Sequence, residues 1–503
     1  MDLLQNLALG LQSAFSLVNL GYCFLGVLIG TLVGILPGLG PVATLALLLP
    51  ITYALDPTAA IIMLAGIYYG SQYGGSTTAI LMNIPGEASA LVTCIDGHQL
   101  AKKGRAGSAL GIAAIGSFIA GSIATLLIAM MSPLLAEVAL YFGATEYFSL
   151  MLLGLVGAVV LANGDILKTV AMVVLGLILG LVGTDINSGS LRFTFETLTL
   201  QDGIDFVVIS MGIYGVAEIL KNLQAMVAND KIETHEVKSP WPQLKDIKDS
   251  IGAILRGTGI GSVLGLLPGG GALLSSFASY TLEKRLKSDN NETPVGQGNI
   301  RAVAGPESAN NAGAQTSFIP MLTLGVPSNA VMALMMGALI IHNITPGPQV
   351  ITTNPTLFWG LIVSMWVGNF FLVILNLPLV GLWVQILRIP YRWLYPAILA
   401  ICVIGVYSVN FNIYDIVLMA AFAGLGYAFY QLRFEPAPLI LGFVLGPLME
   451  ENLRRALLLS RGDPSVFFTS PISATLLALA AFLLISTTVP RIKSAREEAF
   501  VED

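Results

Sequence analysis

The 503-residue sequence has few charged residues. They make up 11% of the chain, against about 25% in ordinary soluble domains, whereas hydrophobic residues make up 55% and the mean hydropathy is +0.80. No Lys- or Arg-rich stripe is interleaved with aromatic residues, so nucleic acid is not an expected partner. Many uncharged runs are long enough to cross a bilayer, which needs about 20 apolar residues. The composition therefore predicts an all-α polytopic membrane protein, with the lipid bilayer as its solvent.

Cysteine and histidine are also rare, with three of each. Cys23, Cys94 and Cys402 are scattered and form no CxxC or CxxH spacing, so they imply neither a disulfide framework nor a metal site. No proton relay can be argued from the histidines. The sequence contains no GxxxxGK[ST] phosphate-binding loop. Catalytic residues and cofactors other than a transported Na⁺ or H⁺ are not expected.

A motif with glycine and proline occurs twice. It reads GTLVGILPGLG from Gly30 and GSVLGLLPGGG from Gly261, with six identical positions at an offset of 231 (261 − 30). In each copy an apolar helix runs into a Pro-Gly break and a second apolar run follows. Interrupted apolar segments at matching positions in two halves of a chain are the best sequence indication of a transporter's binding site. We therefore expect a membrane transporter built by duplication.

The placement of basic residues predicts that the two halves have inverted topology. Short cytoplasmic loops are enriched in Lys and Arg. Each basic loop of one half corresponds to a loop in the other half that has no basic residue, although Arg454, Arg455 and Arg461 do not follow this pattern. The N-terminus is expected to be periplasmic and the C-terminus cytoplasmic, with re-entrant hairpins and roughly 12–15 membrane segments. The predicted units are a first repeat (1–225), a cytoplasmic linker (226–250), a second repeat (251–460), and a final helix with a tail (461–503).

The Pro-Gly breaks are candidate site elements. Freed backbone groups at bilayer depth are tolerated only where they are buried in protein or line a wet cavity. Helices that start at Pro41 and Ala272 would direct positive N-terminal ends at a carboxylate, and the preceding carbonyls could hold a cation. The alternative is a pair of kinked packing helices. The site residues expected here are Pro37, Gly38, Gly40, Pro268, Gly269 and Gly271.

Two polar clusters in apolar surroundings are the other candidates. They are Tyr68–Thr78, followed by the break at Asn83, and its counterpart Glu307–Ser317, followed by the break at Gly325. Their amides and hydroxyls suit Na⁺ and carboxylate oxygens, but small residues also let helices approach closely. Glu307 is either a cation ligand or a structural ion-pair partner. The expected binding residues are Gly74, Gly75, Ser76, Thr77, Thr78, Asn83, Asn310, Asn311, Gln315, Thr316, Ser317 and Ser328, with Ser76, Thr77, Asn310 and Ser317 as Na⁺ ligands.

In these motifs the sequence resembles the large membrane subunit of the tripartite tricarboxylate transporters, the TctA-type family. The matching blocks include YYGSQYGGSTTAILMNIPGEAS, DGHQLAKKGRAGSALG and GPESANNAGAQTSFIPMLTLGVPS. The resemblance implies a bacterial inner-membrane protein that works with a small four-helix membrane subunit and a periplasmic solute-binding protein. It also implies import of di- or tricarboxylates or related organic anions, driven by an ion gradient, commonly Na⁺, rather than by ATP.

The energy of charge transfer fits ion coupling. Moving one charge across 100 mV is worth about 2.3 kcal/mol, so importing a dianion against roughly 150 mV costs about 7 kcal/mol. At least two cations must accompany the dianion to offset its charge. The alternatives are a stand-alone organic-anion channel or carrier and, in a different class, an intramembrane enzyme. The enzyme is disfavoured because the hydroxyls of Gly74–Thr78 have no recognisable base beside them.

Overall fold

The structure is a computed structural model that describes residues 3–36, 40–162, 165–185, 188–228, 241–267, 271–286, 293–386 and 391–486. These residues are almost entirely helical, as the composition predicts. Strands β1 (Gly183–Thr184) and β2 (Leu191–Arg192) form one short antiparallel pair in the register Gly183–Arg192. The prediction of an all-α polytopic membrane protein is confirmed.

The described residues of the first half form ten α-helices. A π-helical stretch, Met211–Val216, joins the last two. The helices are α1 (Leu3–Ala14), α2 (Leu17–Gly34), α3 (Pro41–Thr52), α4 (Pro57–Met82), α5 (Leu91–Lys102), α6 (Ala106–Ala139), α7 (Ala144–Leu161), α8 (Ile166–Gly180), α9 (Phe206–Ser210) and α10 (Ala217–Ala228).

The second half, as far as it is described, contains thirteen. They are α11 (Leu244–Leu264), α12 (Gly271–Arg285), α13 (Arg301–Thr316), α14 (Phe318–Leu324), α15 (Ala330–Ile341), α16 (Val350–Thr353), α17 (Pro355–Asn376), α18 (Val380–Ile386), α19 (Tyr391–Asn410), α20 (Ile413–Gln431), α21 (Ala437–Leu459), α22 (Val466–Thr469) and α23 (Pro471–Ser486).

Four of the described helices combine membrane-crossing length with a sufficiently apolar composition. α2, α6, α17 and α20 are long and apolar enough to span a bilayer. Six shorter apolar segments accompany them, in α3, α7, α8, α15, α19 and α23. Short apolar helices beside long ones are typical of transporters with broken spans.

The sequence explains where the central helices begin and end. The Asp56 side chain accepts a hydrogen bond from the Thr58 backbone N–H, and a proline at the first position of α4 needs no such partner. α4 ends at Asn83, which has a left-handed backbone (φ 57°), and α14 ends in the same way at Gly325 (φ 68°). A proline follows each of these residues two positions later and prevents the helix from continuing. Each half thus carries the predicted second break.

Glycines bring parallel helices into close contact in both halves. A Cβ atom at Gly30 on α2 would lie 2.3 Å from the Ile67 carbonyl oxygen of α4, and one at Gly261 on α11 would lie 2.3 Å from the Ala309 carbonyl oxygen of α13. Small residues permit this approach of backbones between membrane helices. Because these contacts match, α2 corresponds to α11 and α4 corresponds to α13. The residue numbers differ by 231 between α2 and α11 (261 − 30) and by 242 between α4 and α13 (309 − 67).

The helices α5 and α15 each contact the other half of the chain. Lys103, just after α5, donates to the Gln297 carbonyl at 2.5 Å, and Arg105 forms an ion pair with Asp246 near the start of α11 at 2.6 Å. The end of α5 therefore lies where the second half begins. In contrast, α15 packs against α3, and His342 at its end lies beside Thr52 at the end of α3.

Candidate functional site

A cavity of about 430 Å³ lies between the two broken hairpins. Gly40 and Gly271, the first described residues after each Pro-Gly break, both line it, together with Gln72, Glu87 and Asn329. Pockets for small molecules range from about 300 to 1,000 Å³. This space, the central cavity, is therefore large enough for a small organic ion.

Local packing holds both hairpin tips at the cavity. α3 packs against α4, and a Cβ atom at Gly40 would lie 3.9 Å from the Gly86 carbonyl oxygen. Gly271 has a left-handed backbone (φ 59°), and a side chain there would meet the Asn329 amide at 2.8 Å. Glycine suits this position because other residues resist a positive φ. The tips and the second breaks of the two halves thus meet around one space.

Four helix N-termini border the central cavity. Its lining includes first-turn residues of α3, α12, α15 and α21, each of which has at least twelve residues. The first N–H groups of a helix have no partner within the helix, and they carry the positive end of its dipole. Such ends bind carboxylates and phosphates. The backbone of this cavity can therefore receive an anion.

Acidic side chains also line the central cavity. They come from Glu87, Glu218 and Glu435, whereas Lys221 is the one basic side chain among the described lining residues, and it forms an ion pair with Glu218 at 2.9 Å. Like charges repel most strongly where little water screens them. An organic anion would therefore enter this cavity more favourably in the company of cations.

Next to the central cavity, two buried carboxylates join the halves. The Ser76 hydroxyl donates to Glu307 at 2.6 Å, and Thr93 donates to the other oxygen of the same carboxylate. In the reverse direction, the Asn310 amide donates to Glu87 at 3.0 Å. Buried carboxylates are costly unless their oxygens are hydrogen-bonded. These bonds connect α13 to α4, to α5 and to the segment that follows the second break of the first half.

The predicted site residues fall into groups with different surroundings. Gly40 and Gly271 line the central cavity, Asn310 bonds a carboxylate of its lining, and Gly75 packs against the chain at Gly86. Ser76 and Thr77 line a second, smaller cavity. Four predicted residues, Pro37, Gly38, Pro268 and Gly269, lie outside the described residues.

The other predicted residues contact neighbouring helices or their own helix. Ser317 donates to the Gly313 carbonyl at 2.6 Å, and Gly74 packs against the Thr31 carbonyl of α2. These contacts match the packing alternative, in which small residues serve close helix approach. Thr78, Asn311, Gln315, Thr316 and Ser328 likewise bond backbone or side chains of the protein, and Asn83 ends α4.

The structure gives the register in which the two polar clusters correspond. The glycine contacts of α4 and α13 give an offset of 242, which is also the offset between Pro85 and Pro327 in the sequence. At this offset Glu307 corresponds to Ala65, and Ser317 corresponds to Gly75 (317 − 75 = 242).

Sequence reasoning missed the acidic and amide side chains that follow each second break. Glu87 lines the central cavity two residues after Pro85, and Asn329 does so two residues after Pro327. Both therefore occupy the same position of the repeat, at the offset of 242. This regularity was present in the sequence and could have identified them.

An all-α chain with two broken hairpins around a shared cavity has the architecture of a multi-pass membrane transporter. The chain belongs to the tripartite tricarboxylate transporter TctA family, whose sequence profile matches residues 20–441. Members of this family are transporter subunits, so the chain is a transporter subunit and not an enzyme.

Two relatives come from Agrobacterium vitis. One, described as the uncharacterized 52.8 kDa protein of the TAR-I ttuC' 3' region, is 56% identical over 503 residues and covers the whole of both chains. The other, from the TAR-II ttuC' 3' region, is 58% identical over 243 residues, which are 48% of this chain and the whole of that protein. No solved structure is significantly similar.

Proposed function

We propose that the chain is the permease subunit of a binding-protein-dependent secondary transporter. It imports di- or tricarboxylates or related organic anions by cation symport. The observation that carries this proposal is the central cavity, where first turns of α3, α12, α15 and α21 converge on a space of about 430 Å³. A small carboxylate fits this volume, and helix N-termini suit its charge.

The acidic lining supports symport rather than passive entry of the anion. Glu87 is on the lining in addition to the Glu218–Lys221 ion pair. A carboxylate solute beside these groups needs positive charge close by, because unscreened like charges destabilise each other. Cations that enter with the solute supply that charge and also offset the membrane potential.

The proposed transporter has two partner proteins and lies in a membrane. Family membership implies further subunits, and we propose a small four-helix membrane protein and a periplasmic solute-binding protein. The complex would lie in the bacterial inner membrane, with the N-terminus of this chain periplasmic and its C-terminus cytoplasmic. In that orientation, the solute-binding protein delivers the anion from the periplasm.

Reconstituted uptake tests this function. The chain, its two partners and radiolabelled di- and tricarboxylates are combined in proteoliposomes with an imposed Na⁺ gradient, and vesicles without the small subunit are the control. We expect saturable, concentrative uptake that needs all three proteins and collapses when the cation gradients are abolished. Solute flux that is insensitive to all cation gradients and does not saturate would show a channel instead.

A further inference from the structure

A second cavity lies between α4, α6 and α13 and reaches the end of α17. Its volume is about 10 Å³, close to the smallest space that holds one water molecule. For so small a space the lining is rich in oxygen atoms. The polar lining residues are Tyr73, Ser76, Thr77, Ser117, Glu307 and Asn376.

Asn376 brings an oxygen that has no partner. Its side chain is 7% exposed, and its amide nitrogen donates to the Leu372 carbonyl at 3.0 Å. Its Oδ1 atom accepts no hydrogen bond within the part of the chain that the structure describes. A buried acceptor left unsatisfied costs about 1–3 kcal/mol. A group that binds at this oxygen would remove that cost.

Glu307 brings the negative charge. It is 1% exposed, and its carboxylate accepts only hydroxyl hydrogen bonds, from Ser76 and Thr93. Among the described residues no Lys, Arg or His forms an ion pair with it. A carboxylate buried without a cationic partner is strongly disfavoured. The cavity is thus arranged to receive one positive charge.

We propose that this small cavity binds Na⁺, coordinated by the Glu307 carboxylate, the Ser76 hydroxyl and the Asn376 Oδ1 atom. The proposal rests on the cation symport of the proposed function and names its coupling ion. Hard cations prefer oxygen ligands. One carboxylate with neutral oxygens suits a monovalent ion, and no group of three His, Cys, Asp or Glu among the described residues is placed to hold a metal.

The oxygen set favours Na⁺ over a proton. A proton needs only the Glu307 carboxylate and would leave the Asn376 oxygen without a partner. Na⁺ uses both groups, and the hydroxyl of Ser76 can turn its lone pairs to the ion while it donates to the Gln72 carbonyl at 3.0 Å. The ion therefore satisfies each of the polar atoms that the cavity holds together.

Short contacts connect this site to the central cavity. Asn310 lies one turn along α13 from Glu307 and donates to Glu87, which lines the central cavity. Gln72, whose carbonyl accepts from Ser76, lines it too. Because Ser76 and Glu307 belong to different halves, Na⁺ at this point holds the halves in one arrangement, in which the anion site is complete.

Direct ion binding tests the site without transport. The purified full-length chain in nanodiscs is titrated with ²²Na⁺ in a K⁺ background, and Na⁺-dependent thermal stabilisation is measured alongside. We expect saturable Na⁺ binding to the wild type. Glu307→Gln and Asn376→Leu should each weaken it at least about tenfold. Asn369→Leu is the matched control, because Asn369 is a buried asparagine on the same helix that does not line the cavity.

The variant Asn376→Asp tests whether the Asn376 side chain is an ion ligand or has only a structural role. It keeps the oxygen and loses the hydrogen bond to Leu372, so Na⁺ should bind within about threefold of the wild-type affinity or more tightly. A tenfold loss of Na⁺ affinity in Asn376→Asp, or normal Na⁺ affinity in both Glu307→Gln and Asn376→Leu, would overturn the site.

If the wild type binds no Na⁺ while carboxylate uptake persists, the Na⁺ site is wrong and the proposed function stands. Na⁺ binding without any carboxylate uptake would refute the proposed function instead.

Discussion

The Ser76 hydroxyl lies 2.6 Å from the Glu307 carboxylate, although the two residues are 231 positions apart in the chain. One belongs to α4 in the first half and the other to α13 in the second. Their hydrogen bond crosses the contact between the halves at the depth of the helix breaks. It therefore joins the duplicated units where the candidate sites lie.

Removing the Ser76 hydroxyl should have two effects. In Ser76→Ala the buried Glu307 carboxylate loses one donor, which should lower the free energy of unfolding by about 1–3 kcal/mol. The Na⁺ concentration that half-activates uptake should also rise. Thermal unfolding in detergent and Na⁺ titration of uptake measure these effects.

Ser317→Ala is the matched comparison. The Ser317 hydroxyl donates to the Gly313 carbonyl at 2.6 Å, accepts from the Asn329 amide at 3.2 Å and lines neither cavity. We expect a change in unfolding free energy of about 1 kcal/mol or less, with unchanged Na⁺ dependence. Equal Na⁺ dependence in both variants would show that Ser76 is only a packing residue.

Because neighbouring helices approach closely at two equivalent glycines, a side chain at either position should destabilise the protein. A Cβ atom in Gly30→Ala or Gly261→Ala would lie 2.3 Å from a backbone carbonyl oxygen of the adjacent helix. Overpacking of this kind costs about 1–3 kcal/mol or more. We expect a lower unfolding temperature for each variant.

Gly259 provides the control on the same helix as Gly261. No heavy atom lies within 4 Å of a Cβ atom built there. Gly259→Ala should be neutral or stabilising by up to about 1 kcal/mol, because alanine favours a helix. Destabilisation of Gly259→Ala to the same degree would mean that helix contact is not the reason for the glycines.

Local chemistry allowed much of this fold to be predicted. The Pro-Gly motifs and the prolines two residues after Asn83 and Gly325 interrupt helices through local backbone chemistry, so their repetition predicted both breaks in each half. The offset of 242 between Pro85 and Pro327 also gives the register in which α4 corresponds to α13, and the glycine contacts with other helices agree with it. Asn376 is far from the other lining residues in the chain, and only the packing of α17 against α4 and α6 brings it to the small cavity.

Asp96 should be a structural link between the halves. Its carboxylate on α5 accepts hydrogen bonds from the backbone N–H groups of Gly296, Gly298 and Asn299 and from the Tyr280 hydroxyl, at 2.7–3.0 Å. Asp96→Ala leaves these buried donors without a partner and should cost about 2–4 kcal/mol. Amide hydrogen exchange at residues 293–300 should accelerate.

Asp463→Ala serves as the control for Asp96. Asp463 is an exposed carboxylate that accepts from the Ser465 N–H at 2.9 Å. Its removal should cost about 1 kcal/mol or less, with exchange at 293–300 unchanged. Unaltered exchange of that loop in Asp96→Ala would show that other contacts hold it in place.

A negative charge added to the central cavity should weaken anion binding. Asn329 is the N-cap of α15, where its side-chain oxygen accepts from the Met332 N–H at 3.0 Å, and it lines the cavity. Asn329→Asp keeps a good N-cap, so the fold should be preserved. The added carboxylate should raise the KM for a carboxylate solute about tenfold, or about 1.4 kcal/mol.

Asn412→Asp makes the same exchange at the N-cap of α20, away from the cavity lining, and should leave KM unchanged. Equal KM values in Asn329→Asp and wild type, with both proteins folded, would place the anion elsewhere.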